Sequence, residues 1–374
     1  MAEKRNAIEN TVRRYRLYPN NEQRNYFARC FGCVRFVYNM MLAEKIAYYQ
    51  ETGKSLRNTP AKYKKDYPWL KEVDALALSN AQLHLEQAYR NFFRDPRIGF
   101  PKFKSKHRSR DAYTTNVIKG NIRLEGSHLR LPKIGKIRLK VHRRIDADWI
   151  LKSVTVSREP SGKYYAALLY ARERCENQTS EIRDKKVLGI DFSMKELAVF
   201  SDGTSAAYPM YYRTTQKKLA REQRKLSHCQ KGSQNYRKQR QKLARAHEKI
   251  RHQRNDFQHK LSHRLTEEYD VIVVENLNMK GMSGGLHFGK SVMDNGFGAF
   301  IEKLEYKLER KGKIFIKIDR FYPSSKTCSR CGKIKAELTL SERTYICCCG
   351  NRMDRDLNAA INIREEGKRL LGIA

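Results

Sequence analysis

Three acidic residues stand at the ends of apolar segments, where carboxylates can do chemistry. Asp191 follows Val187-Leu188-Gly189-Ile190, and Glu275 follows Val271-Ile272-Val273-Val274. Each run is short and apolar, and reads as a buried strand that ends on an acid. Asp356 opens Leu357-Asn358-Ala359-Ala360-Ile361-Asn362-Ile363, which reads as a helix. If the two strands are neighbours, their carboxyl ends bring Asp191 and Glu275 together, and a helix packed on the sheet adds Asp356. Three clustered carboxylates do not stay ionised without cations. Hard oxygen donors suit Mg²⁺ or Mn²⁺. Two such ions, about 3.5–4 Å apart, activate a water and stabilise the leaving oxygen of a phosphodiester. The predicted chemistry is hydrolysis without a covalent enzyme intermediate. Taken singly, an Asp at a strand end also makes turns, and an Asp at a helix start is also an N-cap. Glu275 is harder to dismiss, because a carboxylate at a buried strand end needs partners. Asp354, two residues before Asp356, competes for the third role, and spacing alone separates them poorly.

Cysteines form a second constellation. Cys328-Ser329-Arg330-Cys331 is a C-x-x-C knuckle, and Cys347-Cys348-Cys349 follows after fifteen intervening residues. Two close pairs at this separation suit a tetrahedral thiolate site for Zn²⁺. The expected ligands are Cys328, Cys331, Cys347 and Cys349, with Cys348 able to replace either neighbour. Four thiolates leave no open position, so the zinc is expected to be structural. Cys30 and Cys33 share the knuckle spacing, but they sit on an apolar helix without a second pair nearby, which favours core packing.

The elements that must position these residues can be read along the chain. Val12 to Leu17 reads as a strand closed by Pro19. Phe27, Phe31, Val34, Tyr38 and Met41 follow helical steps. After Pro60 and Pro68, Trp69, Leu70, Val73 and Leu76 begin a further helical stretch continued by Leu83, Leu85 and Phe92. Gly99-Phe100-Pro101-Lys102-Phe103-Lys104-Ser105-Lys106 is basic with interleaved aromatics, and Lys102, Lys104 and Lys106 are candidate nucleic-acid contacts. Alternation at Ile122/Leu124, Leu129/Leu131, Ile137/Leu139/Val141, Val154/Val156 and Tyr164/Ala166/Leu168 predicts a small β-barrel or sheet that the first strand joins. A polar linker over residues 172–185 precedes an α/β pattern. Between Arg213 and Arg264 there are 17 Lys/Arg against 3 Asp/Glu. Tyr236, Leu243, Ile250 and Phe257 recur there every seven residues, which favours long packed helices with a turn near Gly232. Ile314 to Ile318 reads as a third strand of the second sheet.

The chain has 374 residues, enough for two or three domains, and a net charge of +37. So large an excess repels itself unless an anionic partner neutralises part of it, and closely spaced phosphates fit best. The charged N-terminus and the lack of a long apolar run argue against a leader or a membrane span. Nine cysteines, five of them in one cluster, suggest metal binding in a reducing cytosol and not disulfides.

The segments Leu188-Gly189-Ile190-Asp191, Val273-Val274-Glu275-Asn276-Leu277 and Asp354-Arg355-Asp356-Leu357-Asn358-Ala359-Ala360-Ile361-Asn362-Ile363 resemble the three RuvC-type segments of the transposon-encoded, RNA-guided DNA endonucleases called TnpB, relatives of compact type V CRISPR effectors. Arg16-Leu17-Tyr18-Pro19, Arg35-Phe36-Val37-Tyr38-Asn39 and the Gly99 to Lys106 segment are similar as well, so the resemblance runs along nearly the whole chain. It implies a multidomain α+β and α/β protein. Residues 1–19 and 94–175 would be a wedge-type β-barrel, and residues 20–93 an inserted helical recognition lobe. Residues 185–321 and 352–374 would form an RNase H-like RuvC nuclease domain with basic helices at 213–264 and a zinc-binding insertion at 322–351. By carry-over the catalytic, Mg²⁺-binding acids are Asp191, Glu275 and Asp356, the last preferred because the family's third acid lies two before Asn in Asp-x-Asn-Ala-Ala. The implied partners are a guide RNA from the end of the element, one protein per guide, and target double-stranded DNA beside a short adjacent motif. The implied location is the bacterial cytoplasm at the nucleoid. A nuclease-dead guide-dependent repressor would be expected to lack one acid, whereas all three are present. A transposition accessory would need no triad, a junction resolvase would be much smaller, and a transposase of the same fold could use the same acids for strand transfer.

Overall fold

The computed structural model describes residues 8–173, 185–278, 294–339 and 342–373. The chain divides into two compact units, residues 1–175 and 176–374. Among the described residues no helix is long and apolar enough to cross a membrane.

In the first unit, strand β1 (Ile8–Leu17) is followed by helix α1 (Asn21–Thr52). Asn20 and Gln23 form a reciprocal capping box at its start, and Gly53, at φ 67°, closes its end in the left-handed conformation. The expected α1 stripe of Phe27, Phe31, Val34, Tyr38 and Met41 is buried. A short helix α2 (Tyr63–Asp66) and a 3₁₀ turn (Pro68–Glu72) lead to α3 (Ala75–Arg94), capped by Asp74. On α3 the buried face is Ala77, Leu78, Ala81 and Leu85; Leu83 is 46 % exposed because it lies off that face, and Trp69 in the preceding turn is exposed as well.

The strands β2 (Asp111–Asn116), β3 (Arg123–Glu125), β4 (His128–Leu131), β5 (Gly135–Lys140), β6 (Ile150–Arg158) and β7 (Tyr164–Glu173) complete one antiparallel sheet. Its order is β2-β6-β7-β1-β5-β4-β3. β1 pairs with β7 over its whole length and with β5 at Arg16 and Leu17, so the helices α1 to α3 are an excursion between sheet strands. No ladder joins β2 to β3 among the described residues, so the sheet is a half-barrel and not a closed barrel. Its β3–β4 edge is a hairpin of only three and four residues.

The second unit is built on a sheet of order β11-β10-β8-β9. β8 (Val187–Asp191), β10 (Val271–Glu275) and β11 (Ile314–Ile318) are parallel; β9 (Val199–Phe200) pairs antiparallel with β8. Helices α4 (Tyr211–Ser227) and α5 (Gln234–Glu268) carry most of the basic region and turn at residues 228–233. Of the seven-residue seam, Ile250 is buried and Tyr236, Leu243 and Phe257 are half-buried. Helix α6 (Phe297–Arg310) packs on one face of the sheet with α5, where Leu188, Ile190, Ile272 and Val274 meet Leu261, Phe297 and Leu304. Asp294, 1 % exposed, accepts the backbone N–H groups of Tyr212 and Arg213 and so anchors the start of α4. On the opposite face, Val271, Val273 and Ile318 pack against Ile363 of helix α7 (Arg355–Leu371). A hairpin of β12 (Thr344–Ile346) and β13 (Arg352–Asp354) leads directly into α7.

Candidate active site and cysteine centre

The sheet register sets the first two acids. Val274 pairs with Ile190 in a parallel ladder, and Glu275 and Asp191 are the next residue of each strand. Side chains alternate across a strand. Leu188 and Ile190 enter the α5–α6 core, as do Ile272 and Val274, so Asp191 and Glu275 turn to the face that α7 covers.

Helix α7 can lie on that face because two glycines remove the obstacle. A Cβ on Gly189 would stand 2.2 Å from the carbonyl oxygen of Ala360, and one on Gly367 would stand 2.3 Å from Cγ2 of Val273. The contact at Gly189 also sets the third acid. Asp356 stands four residues before Ala360 on the same helix, near enough for its charge to act on the Asp191 carboxyl. A glycine inside an apolar strand is a known sign of close backbone approach, and Gly189 was open to that reading from sequence.

The electrostatics follow from this crowding. Burial, then the charges of Glu275 and Asp356, push the Asp191 carboxyl well above its usual range, against the opposing charge of Arg355. Burial also raises Glu275; a hydroxyl bond from Ser324 Oγ to its Oε1, 2.5 Å long, works against the shift, and Asp356 adds to it. Asp356 is 22 % exposed and accepts a 3.4 Å contact from Arg355. The three carboxylates repel one another as a unit, but their oxygens do not gather within 4.8 Å as the cysteine sulfurs do. Asp354 has a different task. It is exposed, and its Oδ1 accepts the backbone N–H groups of Asp356 at 2.9 Å and Leu357 at 3.0 Å, the geometry of an N-cap.

The sulfurs of Cys328, Cys331, Cys347 and Cys349 all lie within 4.8 Å of one another. Cys328 and Cys349 are 3.7 Å apart, Cys331 and Cys347 3.6 Å. A tetrahedral centre with metal–sulfur bonds near 2.3 Å places its sulfurs about 3.8 Å apart, so the set fits a zinc-sized ion. Cys348 is exposed and lies 3.5 Å from Lys333 Nζ, outside the set. Burial opposes ionisation of Cys328, but the backbone N–H groups of Cys331 and Arg330 and the Asn351 amide outweigh it and bring the thiol down to about 6. Cys30 and Cys33 are instead core residues of the first unit, pushed up to about 12 and about 11 mainly by burial.

In the first unit Lys102 and Lys106 are exposed, but Lys104 turns inward. Its ammonium stands 3.7 Å from the Tyr38 ring centroid, and its backbone exchanges hydrogen bonds with the Asn39 side chain. Sequence reading missed a basic cleft of about 1190 Å³ lined by Tyr18, Arg138, Lys140, His142, Arg143 and Arg144. Guanidinium groups of Arg16 and Arg138 lie 5.3 and 5.9 Å from the Tyr18 ring. The alternating basic residues of β5 running into His142-Arg143-Arg144 were its signal.

Comparison with known proteins identifies the lineage of the chain. Residues 170–285 match a transposon OrfB family model described as "Probable transposase", and residues 297–363 match the "Cas12f1-like, TNB domain". A related "Helix-turn-helix domain" model matches residues 10–54, which here form β1 and the single 32-residue helix α1. A Streptomyces pristinaespiralis protein named "Putative RNA-guided DNA endonuclease" is 34 % identical over 365 residues, covering 95 % of this chain and 88 % of that protein. The "Putative RNA-guided DNA endonuclease InsQ" of Escherichia coli K12 is 30 % identical, covering 96 % and 92 %. In fold the chain is similar to Cas12f1 in a complex with sgRNA and target DNA, with a TM-score of 0.55 and 16 % identity over 92 % of this chain and 83 % of that one. With relatives this similar over nearly its whole length, the chain belongs to the TnpB (OrfB) family.

Proposed function

We propose that this protein is an RNA-guided DNA endonuclease that hydrolyses phosphodiester bonds at Asp191, Glu275 and Asp356. The observation that carries the reading is the parallel register of β8 and β10, which sets two acids at adjacent strand ends under a helix that brings a third. The donor set fits Mg²⁺ or Mn²⁺: all ligands are carboxylate oxygens, and their mutual repulsion is what a divalent cation relieves. Two bound cations supply an activated water and stabilise the leaving oxygen. The chain's own part is to hold Asp191 and Glu275 rigidly on the sheet and to present Asp356 from the start of α7, with the Arg355 charge opposing the repulsion among them. The four cysteines hold a structural Zn²⁺.

Recognition divides between the partners. Base pairing with a guide RNA reads the sequence, and the protein reads backbone and shape. The net charge of +37 supports this division, since phosphate contacts tip an otherwise balanced exchange of one duplex for another. Residues 1–19 and 94–175 serve as a wedge and residues 20–93 as a recognition lobe, with one protein per guide. Lys102, Lys106 and the Tyr18 cleft contact phosphate and base, while Lys104 holds their segment to α1.

The test is expression with the DNA flanking the gene, sequencing of the RNA that co-purifies, and incubation of that complex with a plasmid matching the RNA in Mg²⁺. A discrete RNA and guide-matched double-strand cleavage are expected. Heterogeneous RNA with no matched cleavage, or joining of strands in place of cutting, would replace this reading with that of a transposase.

A further inference from the structure

The segment between β11 and the first cysteine pair is fastened to the acid site at both ends. Ile318, the last residue of β11, pairs with Glu275. Six residues later Ser324, 5 % exposed, donates its hydroxyl to Glu275 Oε1. The Ser324 carbonyl accepts from Asn362 Nδ2 at 2.7 Å. The Thr327 carbonyl accepts from Asn362 at 2.6 Å and from Asn358 at 2.7 Å. Asn358 Oδ1 accepts the backbone N–H of Ser329 at 3.0 Å. Cys328, the first residue of the cysteine set, lies between Thr327 and Ser329.

Asn358 and Asn362 are 0 % and 4 % exposed and lie one turn apart on α7, the helix that begins with Asp356. Amides this deep in a helix interface are retained only when their hydrogen bonds are satisfied. Here they are spent on the loop that delivers Ser324. The terminal torsion of a glutamate is broad, so the strand alone does not orient its carboxylate plane. A hydroxyl has one proton to donate, and at Oε1 it fixes the plane and leaves Oε2 for another partner.

We propose that Ser324 is a positioning residue of the nuclease: its hydroxyl orients the Glu275 carboxylate toward the cation, and the Asn358–Asn362 clasp ties that orientation to the cysteine module. This rests on the cation-site reading of Asp191, Glu275 and Asp356. The loop that carries Cys328 is the loop that carries Ser324.

The test uses the protein–guide complex. Mn²⁺ binding is followed through the electron paramagnetic resonance of free Mn²⁺, and target cleavage is measured against Mg²⁺ concentration. Asp191→Ala supplies the background of Mn²⁺ held by RNA. Ser324→Ala should weaken the acid-dependent Mn²⁺ binding and raise the Mg²⁺ needed for half-maximal cleavage, each roughly ten- to a hundred-fold. Target binding and melting should stay close to those of the parent, and Ser324→Thr should restore both cation readouts. Asn362→Ala should shift them the same way, and the double variant should be no worse than the poorer single one, since both act through one contact. Parental cation affinity in Ser324→Ala overturns the proposal, and fully additive effects overturn the clasp. If Asn362→Ala does not fold, the Ser324 pair decides alone. If Asp191→Ala binds Mn²⁺ as well as the parent does, the cation-site reading itself fails; a loss in Asp191→Ala with none in Ser324→Ala overturns Ser324 only.

Discussion

Replacing Asp191 by asparagine should make the metal-free protein more stable while abolishing cleavage. Asparagine keeps the shape and removes the charge. Burial and the neighbouring Glu275 and Asp356 raise the Asp191 carboxyl well above its ordinary range, and Glu275 is raised as well. Between the ordinary carboxylate range near pH 4 and these raised values, the folded protein binds more protons than the unfolded chain. Stability therefore falls as pH rises through that window, and the loss is complete above the raised values. Each unit by which a folded pKa is raised costs about 1.4 kcal/mol. For a unit the size of residues 176–374, that corresponds to roughly 3–6 °C in melting temperature per unit removed. Melting in EDTA should show Asp191→Asn above the parent at pH 7, with the difference vanishing toward pH 4. Added Mg²⁺ should narrow the difference, because a ligand at a hundred times its Kd contributes about 2.7 kcal/mol to the parent and little to a variant that has lost a ligand. A variant that melts at or below the parent in EDTA at pH 7, or that gains as much from Mg²⁺ as the parent, would refute the assignment of repelling carboxylates at a cation site.

Asp356→Asn should abolish cleavage with target binding retained, whereas Asp354→Ala should retain cleavage and lose about 1 kcal/mol of stability with the N-cap; equal activity losses would return the third role to contention. Gly189→Ala should cost more than the usual 1–3 kcal/mol of overpacking and depress cleavage, because its methyl meets a helix carbonyl and not a flexible side chain; parental melting and cleavage would mean that α7 does not need this approach. Cys348→Ser should keep one zinc per chain by elemental analysis and Cys347→Ser should lose it; zinc retained in the second would move the ligand set. Lys102→Ala and Lys106→Ala should each weaken nucleic-acid binding and reduce its salt slope by about 1, while Lys104→Ala should lower the melting temperature of the first unit; a salt slope that moves only with Lys104 would reverse these roles.

Local chemistry made much of this legible in the sequence. Four β-branched residues before Glu275 and the apolar run before Asp191 mark strand ends because a strand of that composition must be buried and a carboxylate must leave the core. The cysteine spacing limits the ligand set because a tetrahedral centre needs pairs within one turn of each other. The steps of α1 and the break near Gly232 follow from helix periodicity and from the cost of a turn. Other features depend on segments distant in the chain. That β8 and β10 are parallel neighbours joins residues more than eighty apart. The exposed position of Cys348, the inward turn of Lys104 onto Tyr38 and the open edges of the half-barrel are likewise set by neighbours that no local pattern names. Asp354 and Asp356 illustrate the difference best. Both are acids at a helix start, and composition treats them alike. Only the hairpin entering α7, and the close approach of that helix at Gly189, give one to the helix cap and bring the charge of the other to bear on Asp191, because the direction of a side chain is decided by packing and not by its place in the sequence.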